Sequence, residues 1–379
     1  MGSKKLIYVG NFCNQPLFDQ LIARGAPVTQ AAENLETALL TGLCQQVSDL
    51  RIISFIPECE GVEYTPTEIQ GHGVDYIYVN KKSIKGILKA MSAFGKMIRA
   101  ERPGFDVLTY AVNPMSAIPL FFLRPFKKIT CTTLCTELPQ YRRWKASRKV
   151  RIKHWIQQKL NRQFDKYILL TEEMAQAIPT KKKPYMVMEG ICRDDIHGEP
   201  TAEKRRALMY AGGLTEDNGL ELLTEAFEKS DLEEFWVCGC GPLDAYIRQK
   251  AESNPRIRFF GELPVVKVQE LERRALILAN IRDPENPLTW YSFPSKVLEY
   301  MSCGTVVIST VLRGIPEEYY NYIESVMNYS VDAVLKAIEK TTSKSSTEYQ
   351  EIIGSQNIFL LKRKSSLPQT ERVLDFLRQ

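Results

Sequence analysis

The stretch Ala207-Leu-Met-Tyr-Ala-Gly-Gly-Leu214 is an apolar run that ends in two glycines, and it decides the fold class. The segment that follows, Gly219-Leu-Glu-Leu-Leu-Thr-Glu-Ala-Phe227, has apolar residues at helical spacing. A buried strand, a glycine turn and an amphipathic helix form the repeating unit of parallel α/β sheets. Glycines there let the backbone approach an anion. Gly212 and Gly213 are therefore candidate ligand-binding residues, and the alternative is a tight turn without a ligand.

The same alternation of short apolar runs and helical segments extends in both directions. Helical spacing is clear at residues 30–44 and 84–99. Strands are predicted at 5–9, 50–56, 107–110, 129–133 and 167–170, and again at 207–211, 235–238, 257–260, 276–280 and 306–310. Two consecutive α/β units predict two Rossmann-like parallel-sheet domains that face a central cleft.

A basic stretch with a proline, Lys181-Lys-Lys-Pro184, separates the two series of strands and resembles a linker. We therefore predict a first domain over residues 1–183 and a second over 184–355. The remaining tail, 356–379, is expected to form a C-terminal helix. The sequence does not decide whether this helix packs back on the first domain or on the second.

The composition is that of an ordinary globular protein, because the 379 residues are 44% hydrophobic and 25% charged. Disordered and fibrous classes are excluded. The nine cysteines form no C-x2-C pair, which favours reduced thiols in a cytoplasmic protein. The first residues, MGSKK, lack the apolar core of a signal peptide. The apolar run 117–123 is too short to span a bilayer, so membrane contact should be peripheral.

Two further glycines follow the strand predicted at 235–238, in Val237-Cys-Gly-Cys-Gly-Pro242. The run is not G-x-G-x-x-G, because position 244 is Asp244, so a dinucleotide site is poorly supported. Gly239 and Gly241 remain candidates for a ligand-facing loop.

The most informative segment is Ser292-Phe-Pro-Ser-Lys-Val-Leu-Glu-Tyr-Met-Ser-Cys-Gly304. Pro294 is well placed to begin a helix. A phosphate at that helix start could bind backbone N–H groups, the Ser295 hydroxyl and the Lys296 ammonium, while Glu299 accepts hydrogen bonds from a ribose. The segment thus predicts a nucleotide diphosphate site. The alternative is a capped surface helix on which Lys296 and Glu299 pair with each other.

Six motifs occur in an order that resembles glycosyltransferase family 4. They are Tyr210-Ala-Gly-Gly-Leu214, Gly239-x-Gly241, Phe259-Phe-Gly-Glu-Leu263, Ala279-Asn-Ile-Arg282, the S-F-P-S-K-x-x-E segment and Gly314-Ile-Pro-Glu-Glu-Tyr319. The resemblance implies the GT-B fold, a nucleotide-sugar donor and transfer with retention of anomeric configuration. It is strong over about residues 210–320 and loose before them. The S-F-P-S-K motif resembles the branch that assembles bacterial surface polysaccharides and exopolysaccharides.

The resemblance also implies which residues bind the donor, a UDP- or GDP-sugar. The sequence departs from the family where many members carry Arg, Lys and a first Glu, because it has Gly213, Asn218 and Tyr291 there. Lys296 and Arg282 must then supply the missing positive charge. The implied catalytic residues are Lys296, Glu299 and Arg282. The implied donor-binding residues are Gly212, Gly213, Gly239, Gly241, Leu263, Tyr291, Ser292, Pro294 and Ser295.

The expected chemistry places cations beside a leaving group. A departing nucleotide diphosphate develops negative charge, and the resemblance implies that it is stabilised by cations and a helix N-terminus, without a metal bound by Asp-x-Asp. We expect no essential metal and no prosthetic group. In a retaining transfer the leaving phosphate can itself take the acceptor proton, so the absence of an obvious general base does not count against catalysis.

The acceptor is expected in the first domain. Asn11 follows the first strand, Thr29 and Asn34 belong to the segment that leads into the helix at 30–44, and Glu137 follows the strand at 129–133. The last of these loops resembles a cleft loop of the family. All four are candidate acceptor-side residues.

A basic segment with aromatic residues occupies positions 140–166 and contains one acid, Asp165. Such a segment at helical spacing can bind an anionic membrane surface. The alternative is a solvated helix with Trp155 in the core, and nucleic acid is excluded as a partner because no recognition motif accompanies it. The candidate membrane-contact residues are Arg142, Arg143, Trp144, Lys145, Arg148, Lys149, Arg151, Lys153 and Trp155.

The sequence thus predicts a retaining hexosyltransferase that acts on a lipid-linked or polysaccharide acceptor in cell-surface polysaccharide synthesis. It should be cytoplasmic and peripheral at the inner face of the plasma membrane. Two alternatives stay open: a catalytically silent partner subunit of the same fold, and a sugar-nucleotide epimerase. Epimerases usually use acidic and histidine residues to move protons, and this chain has three histidines.

Overall fold

The computed structural model describes residues 4–81, 83–136, 155–156, 158–178, 182–192 and 203–379. The chain divides into two compact units. The first comprises Met1–Arg193 together with Ser365–Gln379, and the second comprises Asp194–Lys364.

The first unit is built on an eight-stranded sheet in the order β3-β4-β2-β1-β5-β6-β7-β8. Neighbouring strands are parallel except for the β3–β4 pair, which is antiparallel. The central strand β1 is buried along its whole length, as a strand covered by helices on both faces must be. The strands are β1 Leu6–Gly10, β2 Leu50–Pro57, β3 Thr67–Ile69, β4 His72–Val79, β5 Asp106–Tyr110, β6 Thr130–Cys135, β7 Lys166–Leu169 and β8 Tyr185–Val187.

Helices of the first unit begin at side chains that cap them. The Asn14 side chain accepts from the Leu17 N–H at the start of α1, and the Asn113 side chain accepts from the Met115 N–H at the start of α4. Lys128 ends α4 in the left-handed conformation. The helices are α1 Gln15–Ala23, α2 Gln30–Gln46, α3 Ile84–Ala100, α4 Pro114–Lys127 and α5 Glu172–Ala177.

The second unit is built on a six-stranded parallel sheet in the order β11-β10-β9-β12-β13-β14. Its core is formed by apolar side chains of the sheet and of the helices that connect the strands. The strands are β9 Arg205–Ala211, β10 Glu234–Cys238, β11 Ile257–Gly261, β12 Ala275–Asn280, β13 Val306–Thr310 and β14 Glu324–Val326. The helices are α6 Leu220–Lys229, α7 Asp244–Ser253, α8 Val265–Arg274, α9 Pro287–Trp290, α10 Lys296–Ser302, α11 Val331–Thr342 and α12 Ser346–Phe359.

The chain ends in a helix that belongs to the first unit, α13 Ser366–Arg378. The buried Lys166 ammonium donates to the Phe376 and Leu377 carbonyls at 3.0 and 2.7 Å, which satisfies the end of α13. The Gln369 side-chain amide donates to the Gly190 carbonyl at 2.8 Å. The tail therefore returns to the first unit, and residues 181–184 precede β8, the last strand of that unit.

No helix in the described ranges is both long enough and apolar enough to cross a membrane.

Candidate functional site

The loops after β9, β10 and β11 in the second unit are tied together by backbone hydrogen bonds. The Gly212 N–H donates to the Cys238 carbonyl at 2.9 Å, and the Gly239 N–H donates to the Gly261 carbonyl at 2.8 Å. The strand order reverses direction between β9 and β12, because β10 and β11 lie on one side of β9 and β12 on the other. Ligands of open α/β sheets bind at the carboxyl ends of strands beside such a reversal.

Two of these glycines are required by their surroundings. Gly239 has a φ of +130°, and a Cβ there would lie 1.8 Å from the Gly212 carbonyl oxygen. Gly212 has a φ of +147°, and a Cβ there would lie 1.9 Å from the Lys296 Nζ. Side chains are excluded at both positions, and at Gly212 the group that occupies the space is the Lys296 ammonium.

Lys296 begins α10 and is held against Tyr210, at the end of β9. Its Nζ lies 3.0 Å from the Tyr210 hydroxyl and 4.3 Å from the centre of the ring, a cation–π distance. The Tyr210 hydroxyl donates in turn to the Gly213 carbonyl at 2.7 Å. Burial lowers the pKa of Lys296 to about 8, the charge of Glu299 opposes that shift, and the charge of Arg282 adds to it. Lys296 is thus a partly desolvated cation, not a surface lysine.

Arg282 is the second cation of the site and follows β12. Its backbone is fixed by Thr310, whose hydroxyl accepts from the Arg282 N–H at 3.0 Å and donates to the Arg282 carbonyl at 2.7 Å. Burial lowers the pKa of Arg282, and the charges of Tyr210 and Asp217 oppose the shift. The Arg282 Nε is buried and has no hydrogen-bond partner within the described part of the chain. Such a donor is satisfied when an anion binds.

Two acids interact electrostatically with Lys296. Glu299 is half-buried on α10, and its charge raises the pKa of Lys296. Glu272 on α8 is buried, and burial together with the charge of Glu299 raises its pKa to about 7. The Cys303 thiol donates to Glu272 at 3.3 Å. The sequence analysis did not identify Glu272, and its position in a charged helix, VVKVQELERR, gives no signal that this acid is buried.

Tyr300 fixes the distance between α10 and the glycine turn. The sequence analysis did not identify this residue either. Its hydroxyl accepts from the Ala211 N–H at 3.0 Å and donates to the Ala211 carbonyl at 3.1 Å. The side chain is fully buried. It therefore places the end of β9 beside Lys296.

Replacing Tyr300 by Phe should destabilise the protein by roughly 1–3 kcal/mol, because a buried N–H and a buried carbonyl lose their partner. Urea unfolding, followed by the change in free energy, measures the effect. Tyr329→Phe is the matched control, since Tyr329 is half-buried in the same unit and its hydroxyl has no hydrogen bond in the described structure. Equal stability of the two variants would contradict the role assigned to Tyr300.

The remaining predicted donor-binding residues lie just before α10 and in the loops that follow β10 and β11. Ser292 donates its hydroxyl to the Leu288 carbonyl at 2.7 Å, so this group terminates α9. Pro294 is buried, and Ser295 is exposed and makes no capping hydrogen bond. Tyr291 and Leu263 are half-buried, in the loops before α10 and after β11. Gly241 lies against Leu214, whose N–H donates to the Cys240 carbonyl at 3.0 Å.

Asn218, at the position where many members of glycosyltransferase family 4 carry Lys according to the resemblance, has a structural role here. Its side-chain amide donates to the Gly213 carbonyl at 2.8 Å and to the Thr215 hydroxyl at 2.9 Å. The residue therefore folds the loop between β9 and α6 onto itself. Positive charge near the glycine turn comes from Lys296 and Arg282.

Among the predicted acceptor-side residues, Asn11 is held by a buried carboxylate that the sequence analysis missed. Glu36 on α2 accepts from the Asn11 N–H at 2.9 Å and from the Tyr8 hydroxyl at 2.8 Å. Asn34 accepts from the Gln30 side chain at 2.9 Å, and Thr29 precedes α2 without a capping hydrogen bond. The Glu36 carboxylate thus fixes the loop after β1. Glu137 lies outside the described residues.

Glu36 should make stability fall as the pH rises. Burial raises the pKa of Glu36 to about 8, with the Asn11 and Tyr8 hydrogen bonds opposing the shift. The folded state therefore binds a proton more tightly than the unfolded state, and the stabilisation is present below the unfolded carboxyl pKa and lost as the pH rises through about 8. Urea unfolding of Glu36→Gln should show a weaker loss between about pH 5 and about pH 8. Glu60→Gln, at an exposed carboxylate, should keep the wild-type slope, and identical slopes in all three proteins would contradict this account.

Most candidate membrane-contact residues lie outside the described residues: Arg142, Arg143, Trp144, Lys145, Arg148, Lys149, Arg151 and Lys153. Trp155 is described and is 61% exposed. The Lys159 ammonium lies 5.1 Å from the centre of its ring. The alternative that places Trp155 in the core is therefore wrong, because the indole ring is in contact with solvent.

Across the ranges that the structure describes, no three His, Cys, Asp or Glu side chains are arranged to hold a metal ion.

Residues 205–343 match the protein family described as Glycosyl transferases group 1. The matched residues contain the glycine turns, Arg282 and the whole of α10. No curated protein sequence matches the chain.

Solved structures show that the two-unit fold is GT-B. Sucrose-phosphate synthase from Thermosynechococcus elongatus superposes with a TM-score of 0.67 at 12% identity, over 99% of both chains. A lipopolysaccharide outer core galactosyltransferase gives 0.64 at 13% identity, and the Anabaena protein HepE, solved in complex with UDP, gives 0.64 at 10% identity. Each of these matches also covers 99% of both chains. Together with the family match, the fold supports a glycosyltransferase.

Proposed function

We propose that the protein is a retaining hexosyltransferase that moves a sugar from a UDP- or GDP-sugar to a lipid-linked or polysaccharide acceptor in cell-surface polysaccharide synthesis. One observation carries the proposal. Two half-buried cations, Lys296 and Arg282, lie near the glycine turn that follows β9, and the buried Arg282 Nε has no partner among the described residues. Such a site favours a ligand with concentrated negative charge.

The charge of the site fits the leaving group of this reaction. When the bond between sugar and phosphate breaks, negative charge accumulates on the nucleotide diphosphate. Lys296 and Arg282 would stabilise that charge, and no metal is required for it. Gly212, Gly213, Gly239 and Gly241 let the backbone approach the donor, and Glu299 would accept hydrogen bonds from the ribose. We place Leu263, Tyr291, Ser292, Pro294 and Ser295 around the nucleotide.

The acceptor is proposed to bind in the first unit, beside the loop that Glu36 fixes. Asn11, Thr29, Asn34 and Glu137 would line its site. The structural likeness to a lipopolysaccharide outer core galactosyltransferase supports an acceptor of the cell surface. A lipid-linked acceptor would hold the enzyme at a membrane, so we propose that the enzyme is cytoplasmic and associates with the inner face of the plasma membrane, with the basic segment 140–166 as one contact.

A catalytically silent subunit with the same fold is the second candidate. Three departures from the resemblance to glycosyltransferase family 4 favour it. Where many members of that family carry Arg, Lys and Glu, this chain has Gly213, Asn218 and Tyr291. A silent subunit would keep the nucleotide site and lack turnover.

Thermal-shift measurements with UDP, GDP and their sugars test the proposal, because a ligand that binds only the folded state raises the melting temperature. One nucleotide and its sugars are expected to raise it by several degrees, and AMP should not. No shift with any nucleotide would contradict the proposal. A shift without sugar transfer or donor hydrolysis would favour the silent subunit.

A further inference from the structure

Helix α4 presents three phenylalanine side chains to solvent. Phe121, Phe122 and Phe126 are 51%, 64% and 79% exposed. The rings of Phe121 and Phe122 contact each other edge to face, with centres 5.3 Å apart, and Phe122 and Phe126 are four residues apart on one side of the helix. Clusters of exposed aromatic side chains are typical of surfaces that bind another protein, a ligand or a membrane.

Cationic side chains lie beside this cluster. The ends of α3 and α4 are joined, because the Lys127 ammonium donates to the Glu101 carbonyl at 2.6 Å and the Gly104 N–H donates to the Lys127 carbonyl at 2.8 Å. Further along, a Cβ at Gly95 of α3 would lie 3.7 Å from the Pro119 Cβ of α4. The two helices therefore run side by side with their carboxyl ends together. Lys96, Arg99, Arg102 and Lys128 are exposed at that end.

The acids of this region are already neutralised. Glu101 pairs with Lys5 at 2.7 Å and with Arg51 at 2.6 Å. Asp106 pairs with Lys4, and Asp165 pairs with Arg124. By contrast, Lys96, Arg99, Arg102 and Lys128 form no ion pair with any described residue. The surface around the phenylalanines is thus positive.

We propose that this surface, Phe121, Phe122 and Phe126 with Lys96, Arg99, Arg102 and Lys128, docks on an anionic lipid bilayer. Aromatic rings that enter the headgroup region and cations that contact anionic headgroups are the two components of peripheral membrane binding. A second copy of the chain is a poor occupant, because its own cationic rim would repel this one. None of these residues belongs to the basic segment 140–166. The inference rests on the proposed function only through the lipid-linked acceptor, and the donor site does not enter it.

Co-sedimentation of the full chain with lipid vesicles tests the proposal. The wild type should bind vesicles that contain phosphatidylglycerol and bind pure phosphatidylcholine vesicles much more weakly. Phe122→Ser with Phe126→Ser, and separately Arg99→Glu with Lys128→Glu, should each lower the binding constant by at least about tenfold. All four side chains are exposed, so the variants should melt at the wild-type temperature.

Matched controls come from exposed residues of the second unit. Val265→Ser with Val266→Ser removes two exposed apolar side chains, and Lys336→Glu with Lys362→Glu reverses two exposed cations. Both controls should bind vesicles like the wild type. The proposal is overturned if the α4 variants also bind like the wild type, if the wild type binds neither vesicle, or if the phenylalanine variant only converts a dimer into a monomer.

A nucleotide thermal shift on the same variants separates this inference from the proposed function. The α4 variants should keep the wild-type nucleotide shift, since they lie in the first unit. If the wild type shows no nucleotide shift but its vesicle binding depends on α4, the proposed function fails and the docking surface stands. If the wild type shows a normal nucleotide shift but binds no vesicles, the docking surface fails and the proposed function stands.

Discussion

Lys296→Ala is expected to lower sugar transfer, or donor hydrolysis in the absence of acceptor, by about 10²–10³-fold, the usual effect of losing one preorganised group that stabilises developing charge. The Lys296 Nζ lies at the glycine turn, 3.0 Å from the Tyr210 hydroxyl, and its partial burial strengthens its interaction with an anion. The measurement is the initial rate of nucleotide release under conditions where the variant has the wild-type melting temperature.

Two further observations separate this role from a structural one. Lys267→Ala removes an exposed lysine that pairs with Glu270 and should leave the rate unchanged. The pH profile of kcat/KM should fall as the pH rises through about 8, the pKa of Lys296 in the free enzyme. A rate in Lys296→Ala equal to that of Lys267→Ala would show that Lys296 does not stabilise the leaving group.

Gly239→Ala should destabilise the protein by roughly 1–3 kcal/mol or more and abolish nucleotide binding. The new Cβ would lie 1.8 Å from the Gly212 carbonyl oxygen and 2.8 Å from its carbon. These are backbone atoms and cannot rotate away, so the loops after β9 and β10 must separate. The φ of +130° adds strain for any residue with a Cβ.

Urea unfolding and nucleotide thermal shifts measure both parts of this prediction. Gly354→Ala is the matched control, because Gly354 lies within α12 and a Cβ there would meet no atom within 4 Å. Alanine at that helical position should be neutral or stabilise by up to about 1 kcal/mol. If Gly239→Ala has the same free energy of unfolding as Gly354→Ala and still binds the nucleotide, the prediction is wrong, and the close contact between the two loops supports neither stability nor binding.

The sequence was sufficient to predict the fold where strands are long and buried. The runs at 207–211 and 235–238 correspond to β9 and β10 within two residues, since continuous apolar runs between glycine turns are typical of buried parallel strands. Four strands were not predicted. One of them, β4, has eight residues, but most of them are half-buried or exposed, so no continuous buried run marks it. The other three are the antiparallel strand β3 and the edge strands β8 and β14. Each has three residues, too few for a periodic pattern.

The site was less accessible to sequence reasoning, because its supporting contacts join distant residues. Tyr300 bonds to Ala211 and Lys296 contacts Tyr210, so each pair spans more than eighty positions. Nothing in the run Lys296–Ser302 distinguishes Tyr300 from an ordinary core aromatic. Likewise, the apolar run at 117–123 gives no indication that Phe121 and Phe122 are exposed, since exposure depends on which face of α4 packs against α3.

A crystal structure of the protein with UDP or GDP bound tests the central claim most directly. The diphosphate should lie at the turn after β9, with phosphate oxygens within hydrogen-bonding distance, at most about 3.2 Å, of the Lys296 Nζ and of the Arg282 guanidinium. A nucleotide whose diphosphate lies away from both cations would contradict the account, as would a nucleotide bound to the first unit alone.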